Sequence, residues 1–325
     1  MWLIHPKPKD SELLSSWILR TCEMMALKPH SFCHRHWPGL QIWNRDIDRL
    51  APAELLRGMA DGTGVPLERA EQTTLRFLEG VVVERLAKGN DSVITNVGVY
   101  HRKRTGYGLR YCPICFGKPD GRYFRQEWRL LSVSTCPDHG VILRDDCECG
   151  APIVPGRGSM ANCHQCEERL SSSKITTAST ASLQLDAHSI AVLAGAPVSL
   201  PFLKDLHSIA YFALLSRLLL VLACGPRRER LWAALAKQGI EVPNPVFSRS
   251  SRGIRFLRAN SISDLGPAIA FLLRGWPSMF AGLLAGAGIW KSWALRDAMP
   301  GGLPFCYEDA VRWYLTSEIT PKSYR

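Results

Sequence analysis

Apolar positions recur at helical spacing near both ends of the chain and lose that period in the middle. From Ser11, "SELLSSWILRTCEMMAL" sets Leu14, Trp17, Ile18, Thr21 and Met25 on one face, the repeat of a helix that packs inward. Asp10 or Ser11 is placed to cap its first turn. Pro29 suits the first turn of a second helix carrying Phe32. A third and a fourth follow in "APAELLRGMADGTGVPLERAEQTTLRFLEG", where Ala60, Gly64 and Val65 take the positions of the small residue, turn glycine and first buried residue of a helix-turn-helix. The spacing predicts the second helix of that pair from about Pro66 to Leu78. Arg69, Gln72 and Arg76 would then share its outer face, either to read DNA bases or, as one side of a plain αα-hairpin, to meet water.

Helical periodicity returns from about Pro201, in "FLKDLHSIAYFALLSRLLLVL", "RRERLWAALAKQGI", "ISDLGPAIAFLLRGWPSMFAGLLAGAGIW" and "FCYEDAVRWYLTSEI". The longest apolar run, Ile209 to Gly225, is broken by Arg217 and is shorter than the roughly 20 residues that span a bilayer. A buried helix is expected there. Between the two helical parts, "HRKRTGYGLR" reads as an exposed basic connection whose Arg102, Lys103 and Arg104 could touch phosphates. After Cys166, "LSSSKITTASTASLQLD" reads as a linker or surface strip. The expected organisation is mainly α: an N-terminal helical domain over 1–104, a cysteine-rich region over 105–170, a linker over 171–200 and a C-terminal helical domain over 201–325.

The 325 residues are 46% hydrophobic, enough for ordinary buried cores. Forty Lys and Arg against twenty-nine Asp and Glu give a net charge of +11, which favours polyanionic partners. Local rows repeat the bias: Arg227, Arg228 and Arg230, then Arg252, Arg255 and Arg258 at helical spacing beside Phe256. Such a row either grips a phosphate backbone or is a solvated face. The opening "MWLIHPKPKD" has no secretory pattern, so a cytoplasmic location without membrane attachment is expected.

Of eleven cysteines, seven crowd between Cys112 and Cys166, and in a reducing compartment such a cluster points to metal. Cys112 and Cys115, a gap of twenty residues, then Cys136 and His139 form one four-ligand set, with Pro113 and Pro137 shaping its two knuckles. Cys147, Cys149, Cys163 and Cys166 form a second. Its Cys-x-Cys pair is one residue tighter than usual, so His164 or Asp146 could replace one thiolate. A redox dithiol, a pair of buried thiols or a structural loop are the alternatives. Two Zn2+ per chain are expected, each with four protein ligands and therefore structural. Large apolar residues between the ligands are few, namely Tyr123, Phe124, Trp128, Leu130, Leu131 and Val133, so metal is expected to stand in for a core.

Catalytic patterns are scarce. The sequence has no Gly-x4-Gly-Lys-Ser/Thr loop, no His-Glu-x-x-His and no zinc-deaminase signature. "GRGSMA" at 156–161 fits Gly-x-Gly-x-x-Ala only formally, since it lies between metal ligands.

The ordered series "PKPKDSELLSSWILRTCEMMAL", "SFCHRHW", "DIDRLAP", "RYCPICF", "YFRQEWRLLSVSTCPDHGVIL", "CECGAPI" and "CHQC" resembles the TniQ/TnsD family of target-selection proteins from Tn7-like and related transposons. The similarity is strong over roughly residues 6 to 170. It implies a non-catalytic adaptor that recognises target DNA or an RNA-guided CRISPR surveillance complex with its guide RNA and recruits the transposon's AAA+ ATPase, which brings the transposase. A second copy of the chain is a further candidate partner. The resemblance carries over both ligand sets, with Cys147-Glu148-Cys149 departing from the family's commoner Cys-x-x-Cys. The chain lacks the long additional portion of attachment-site readers, which favours the shorter TniQ type. A zinc-ribbon transcriptional regulator using a helix-turn-helix is the competing expectation, and a metal-dependent enzyme a third.

Overall fold

The protein was analysed as a computed structural model, which describes residues 1–86, 93–100, 103–104, 106–203, 205–241, 254, 257–296 and 302–316. Helix α1 spans Leu14–Met24 and buries Leu14, Trp17, Ile18 and Thr21 of the predicted face, while Met25 falls at its C-terminal cap and is half-buried. Its cap differs from expectation. Asp10 instead pairs with Arg69 at 2.9 Å, and Ser11 adopts a positive φ of 55°. The free N–H groups at a helix start need an acceptor, and Asp48, thirty-three positions on, supplies it: Ser15 donates its N–H (2.7 Å) and its hydroxyl (2.8 Å) to that carboxylate.

Helix α2, Pro29–His36, begins on Pro29 and buries Phe32 as expected. Helix α3, Ala53–Thr63, ends on Gly64 at φ 67°, where Gly64 and Val65 both donate to the Ala60 carbonyl. That conformation is open to glycine at little cost. The next helix, α4, is only Leu67–Glu71, not the run to Leu78 that the periodicity predicts. Thr73 and Thr74 turn their hydroxyls onto the carbonyls of Ala70 (2.6 Å) and Glu71 (2.7 Å) and so compete with the helix. Their backbone is also held from outside: Leu14 donates to the Thr73 carbonyl, and Leu75 donates to that of Asp48. A 3-10 turn over Leu75–Leu78 follows. These helices enclose a core of Leu14, Trp17, Ile18, Phe32, Leu55 and Met59, each side chain worth roughly 1.5–3 kcal/mol when fully buried.

The middle of the chain is built from short pieces. Strands β1 (Val99–Tyr100) and β2 (Lys103–Arg104) pair antiparallel. Helix α5 (Pro113–Phe116) and the antiparallel hairpin of β3 (Thr135–Cys136) and β4 (Val141–Ile142) carry the first ligand set. Gly106 to Arg110 are mostly buried rather than exposed. A Cβ on Gly106 would lie 2.3 Å from the Asn96 carbonyl oxygen, so only glycine permits this approach. Arg110 is buried and donates to the carbonyls of Leu130, Leu131 and Val133. Nor does metal replace a core here: Tyr111, Phe116, Phe124, Trp128, Leu130, Leu131 and Val133 are buried in one apolar cluster that continues into the C-terminal helices.

The stretch expected as a linker holds a helix, α6, over Thr180–Leu193. Small polar residues hide its inward face from an apolar-periodicity reading: Ser182, Asp186 and Ser189 are all buried. It crosses α9 (Ala259–Arg274) closely enough that a Cβ on Gly266 would sit 2.1 Å from Ser182 Oγ. Helices α7 (Ser208–Cys224), α8 (Arg228–Ala236), α10 (Ser278–Gly286), α11 (Lys291–Ala294) and α12 (Phe305–Tyr314) complete the C-terminal part. Arg217, which interrupts the apolar run of α7, is buried and donates to the carbonyls of Ala294 (2.9 Å) and Arg296 (3.0 Å). No single helix among the described residues is long and apolar enough to cross a membrane.

Asp186 of α6 clamps the β3 hairpin, its carboxylate accepting the N–H and hydroxyl of both Ser134 and Thr135. Burial pushes this carboxyl up to about 6, the four donors offsetting only part of the effect. The folded chain then binds the proton more tightly than the unfolded one. The Asp186 contribution to stability is therefore greatest in acid and declines as pH rises from about 4 to about 6, by roughly 3 kcal/mol at most. Urea unfolding of the wild type and of Asp186→Asn at both pH values checks this. The wild type should lose more stability across the window, and the difference between the two proteins cancels proton uptake by the metal ligands.

Candidate metal centres

Two groups of four side chains converge among the described residues: Cys112, Cys115, Cys136 and His139, and Cys147, Cys149, Cys163 and Cys166. Within each, all ligand atoms lie within 4.8 Å of one another. Cys112 sits at the N-terminal cap of α5, and Pro113 fills the first helical position, so the turn brings Cys115 round beside it. The β3 and β4 hairpin presents the other pair. Gly140 and His139 both donate to the Cys136 carbonyl, and Gly140 takes φ 66° to turn the chain.

Tetrahedral Zn2+ with Zn–S near 2.3 Å and Zn–N near 2.0 Å requires S···S of about 3.8 Å and S···N of about 3.5 Å. His139 Nδ1 lies 3.6, 3.3 and 3.4 Å from the sulfurs of Cys112, Cys115 and Cys136, and Cys115 Sγ lies 3.9 Å from Cys136 Sγ. In the second group Cys147 to Cys166 is 3.5 Å and Cys149 to Cys163 is 3.7 Å. Both donor sets thus suit zinc, which would supply a structural crosslink. Three thiolates and a neutral imidazole around a divalent cation leave one negative charge. The Arg125 guanidinium stands at that edge, 3.8 Å from Cys115 Sγ and paired with Asp138 at 3.3 Å.

The tight Cys147-Glu148-Cys149 step is accommodated by Gly150 at φ 81°, with Cys147 donating to the Ala151 carbonyl and Gly150 to that of Cys147. His164 and Asp146 are not in the group. Asp146 is held by Arg144 (3.0 Å) and by Arg258 (2.5 Å). The two groups differ in exposure. Cysteines 112, 115 and 136 are buried, whereas Cys149 and Cys166 are exposed.

The basic residues singled out in the sequence are scattered. Arg258 is engaged inside the chain, at 2.7 Å from Asp145 and 3.8 Å over the Tyr107 ring. Arg252 and Arg255 lie outside the described residues, as does Arg102, and Lys103 and Arg104 are described only as the backbone of β2. Arg69 is tied to Asp10 and to the carbonyls of Pro8 and Lys9, and Gln72 accepts from it at 3.4 Å. Arg76 is exposed on the 3-10 turn. The polar contacts that periodicity alone could not reveal are Asp48, Arg129 and Asp186, which fix the elements bearing the ligands; a buried charge leaves no periodic mark.

A mainly helical protein with two candidate metal sites at its centre is the class these features define. Within it, residues 3–143 match the TniQ family, so the chain carries a TniQ domain containing the complete first ligand group. The second group and the C-terminal helices lie beyond the matched residues. A comparison with curated proteins finds no match. TniQ proteins are associated with transposition and are generally non-catalytic.

Freshly purified protein should contain two zinc ions per chain by emission spectroscopy, and fewer than one would defeat the zinc assignment. Cys115→Ser should lower the thermal midpoint more than Cys149→Ser, because the first cut opens a buried cluster and the second a surface loop. Equal shifts would contradict that ranking.

Proposed function

We propose that this chain is a non-catalytic adaptor for choosing transposition targets, linking a target-bound complex to the transposon's AAA+ ATPase and through it to the transposase. The observation that carries the reading is the TniQ domain over residues 3–143. The donor geometry supports it, because four protein ligands at each group would fill a tetrahedral shell and give a rigid support with no coordination position for substrate. The net charge of +11 favours assembly on nucleic acid, whether target DNA or a guide-RNA complex. Metal at both groups would fix the surface between the N-terminal and C-terminal helices on which partners assemble.

Reconstitution of the ATPase, transposase and target complex with and without this chain, followed by sequencing of the insertion sites, tests the proposal. Directed insertion should require the chain, while the ATPase and transposase remain chemically competent without it. Equal frequency and position of insertions in both reactions would defeat the adaptor reading.

A further inference from the structure

The link between α7 and α8 forms a cavity of about 590 Å3, lined by Cys224, Gly225, Pro226, Arg227, Arg228, Glu229, Arg230 and Trp293. Among these lining residues three guanidinium groups face a single carboxylate, so the surface is strongly cationic. Two of the arginines are held in place by backbone oxygens. Arg227 donates to the Gly288 carbonyl at 3.0 Å and lies 4.4 Å over the Trp290 ring. Arg228 donates to the Ala223 carbonyl at 2.8 Å and lies beside Trp232. Arg228 also pairs with Glu229 at 3.4 Å, whereas the neutral Gly288 carbonyl leaves the Arg227 guanidinium its attraction for an anion. Arg230 is exposed at the rim. Trp293, half-buried, places its ring against Gly225, where an added Cβ would come within 3.5 Å of Cη2.

A cationic wall beside an aromatic ring matches a ligand that carries a phosphate and a flat π face on neighbouring atoms. A nucleotide unit has both. In a duplex the base faces are stacked away, whereas a single strand can offer phosphate and base to one cavity together. An acidic peptide would satisfy the arginines and leave the tryptophan without a matching group. We propose that this cavity binds a single strand of nucleic acid, with Arg227 and Arg230 contacting phosphates and Trp293 stacking on a base. The site lies outside the TniQ domain and deepens the adaptor reading, on which it rests, by naming a nucleic-acid contact for the C-terminal helices.

Fluorescence anisotropy of the full-length, zinc-loaded chain with labelled oligothymidylate, labelled oligouridylate and a labelled thymidylate–adenylate duplex tests it over a salt series. Both strands should bind more tightly than the duplex, and a preference between them identifies DNA or RNA as the source. Arg230→Glu should weaken strand binding about tenfold or more and flatten the slope of log affinity against log salt by about 0.7, the share of one lost phosphate contact. Trp293→Ala should weaken it about tenfold with the salt slope unchanged, and Trp293→Phe should restore most of the loss. Thermal unfolding of each variant confirms that it is folded. Folded variants that bind as the wild type does, or a duplex bound as tightly as the strands, would overturn the proposal. A wild-type chain that binds no strand would overturn this site and leave the adaptor reading standing. Insertion unchanged by omitting the chain would remove that reading without altering the binding result.

Discussion

The guanidinium of Arg129 has no exposure to solvent, yet it joins the N-terminal helices to the centre of the molecule. It pairs with Asp46 at 2.6 Å and Asp48 at 3.4 Å, and its remaining donors reach Thr95 Oγ1 and the Thr95 carbonyl. Asp48 in turn caps α1 through Ser15. Burying an ion costs several kcal/mol, and only complete pairing and hydrogen bonding return it. The two sides of this network therefore depend on each other: the helix start needs Asp48, Asp48 needs Arg129, and Arg129 is positioned by the segment that leads to the β3 hairpin. Gln126 adds to the same seam by donating to the carbonyls of Gln72 and Thr74. The seam also explains why α4 stops short, since its C-terminal backbone is committed to partners outside the helix.

Beyond the seam the first ligand group is held from three directions. Arg110 collects the carbonyls of Leu130, Leu131 and Val133, Tyr111 exchanges backbone hydrogen bonds with Arg144 at 2.8 Å, and Asp186 fixes the hairpin from α6. Burial draws the Arg110 guanidinium down to about 10, with the charges of Asp145 and Asp186 opposing that shift. The guanidinium stays ionised at neutral pH, which the three carbonyl acceptors require.

What could be read from the sequence followed from how local its cause is. The first ligand group was legible because a two-residue loop lets two ligands take two corners of a tetrahedron, and Cys112 to His139 contain two such loops. The core faces of α1 and α2 were legible from periodicity and from Pro29. The early end of α4 was not, since Thr73 and Thr74 look compatible with a helix until the bonds to Leu14 and Gln126 are known. Helix α6 leaves little apolar period because serines and an aspartate share its buried face, where the carbonyl of Ser263, the Tyr211 hydroxyl and the hairpin donors satisfy them. Arg258 sits in a row spaced like a phosphate-binding face, but Asp145 and Asp146, more than a hundred positions earlier, pair with its half-buried guanidinium.

The contrast between the two ligand groups follows from the same argument. The first closes a hairpin and a helix start whose side chains belong to the continuous apolar core, so loss of its metal would open that core. The second spans a surface loop. That loop is anchored by Glu23 accepting from Ser159 and Met160, by Glu148 accepting from the Lys174 N–H, and by the Arg258 pairs at its base. These contacts grip the loop at its edges and leave Cys149 and Cys166 exposed. Within the loop Ala151, Ile153 and Met160 are buried in the apolar cluster, and metal coordination is the interaction that would order its exposed end, which carries Cys149 and Cys166. A crosslink placed there fixes a surface, whereas the first fixes an interior, and a protein that works by presenting surfaces to partners has use for both.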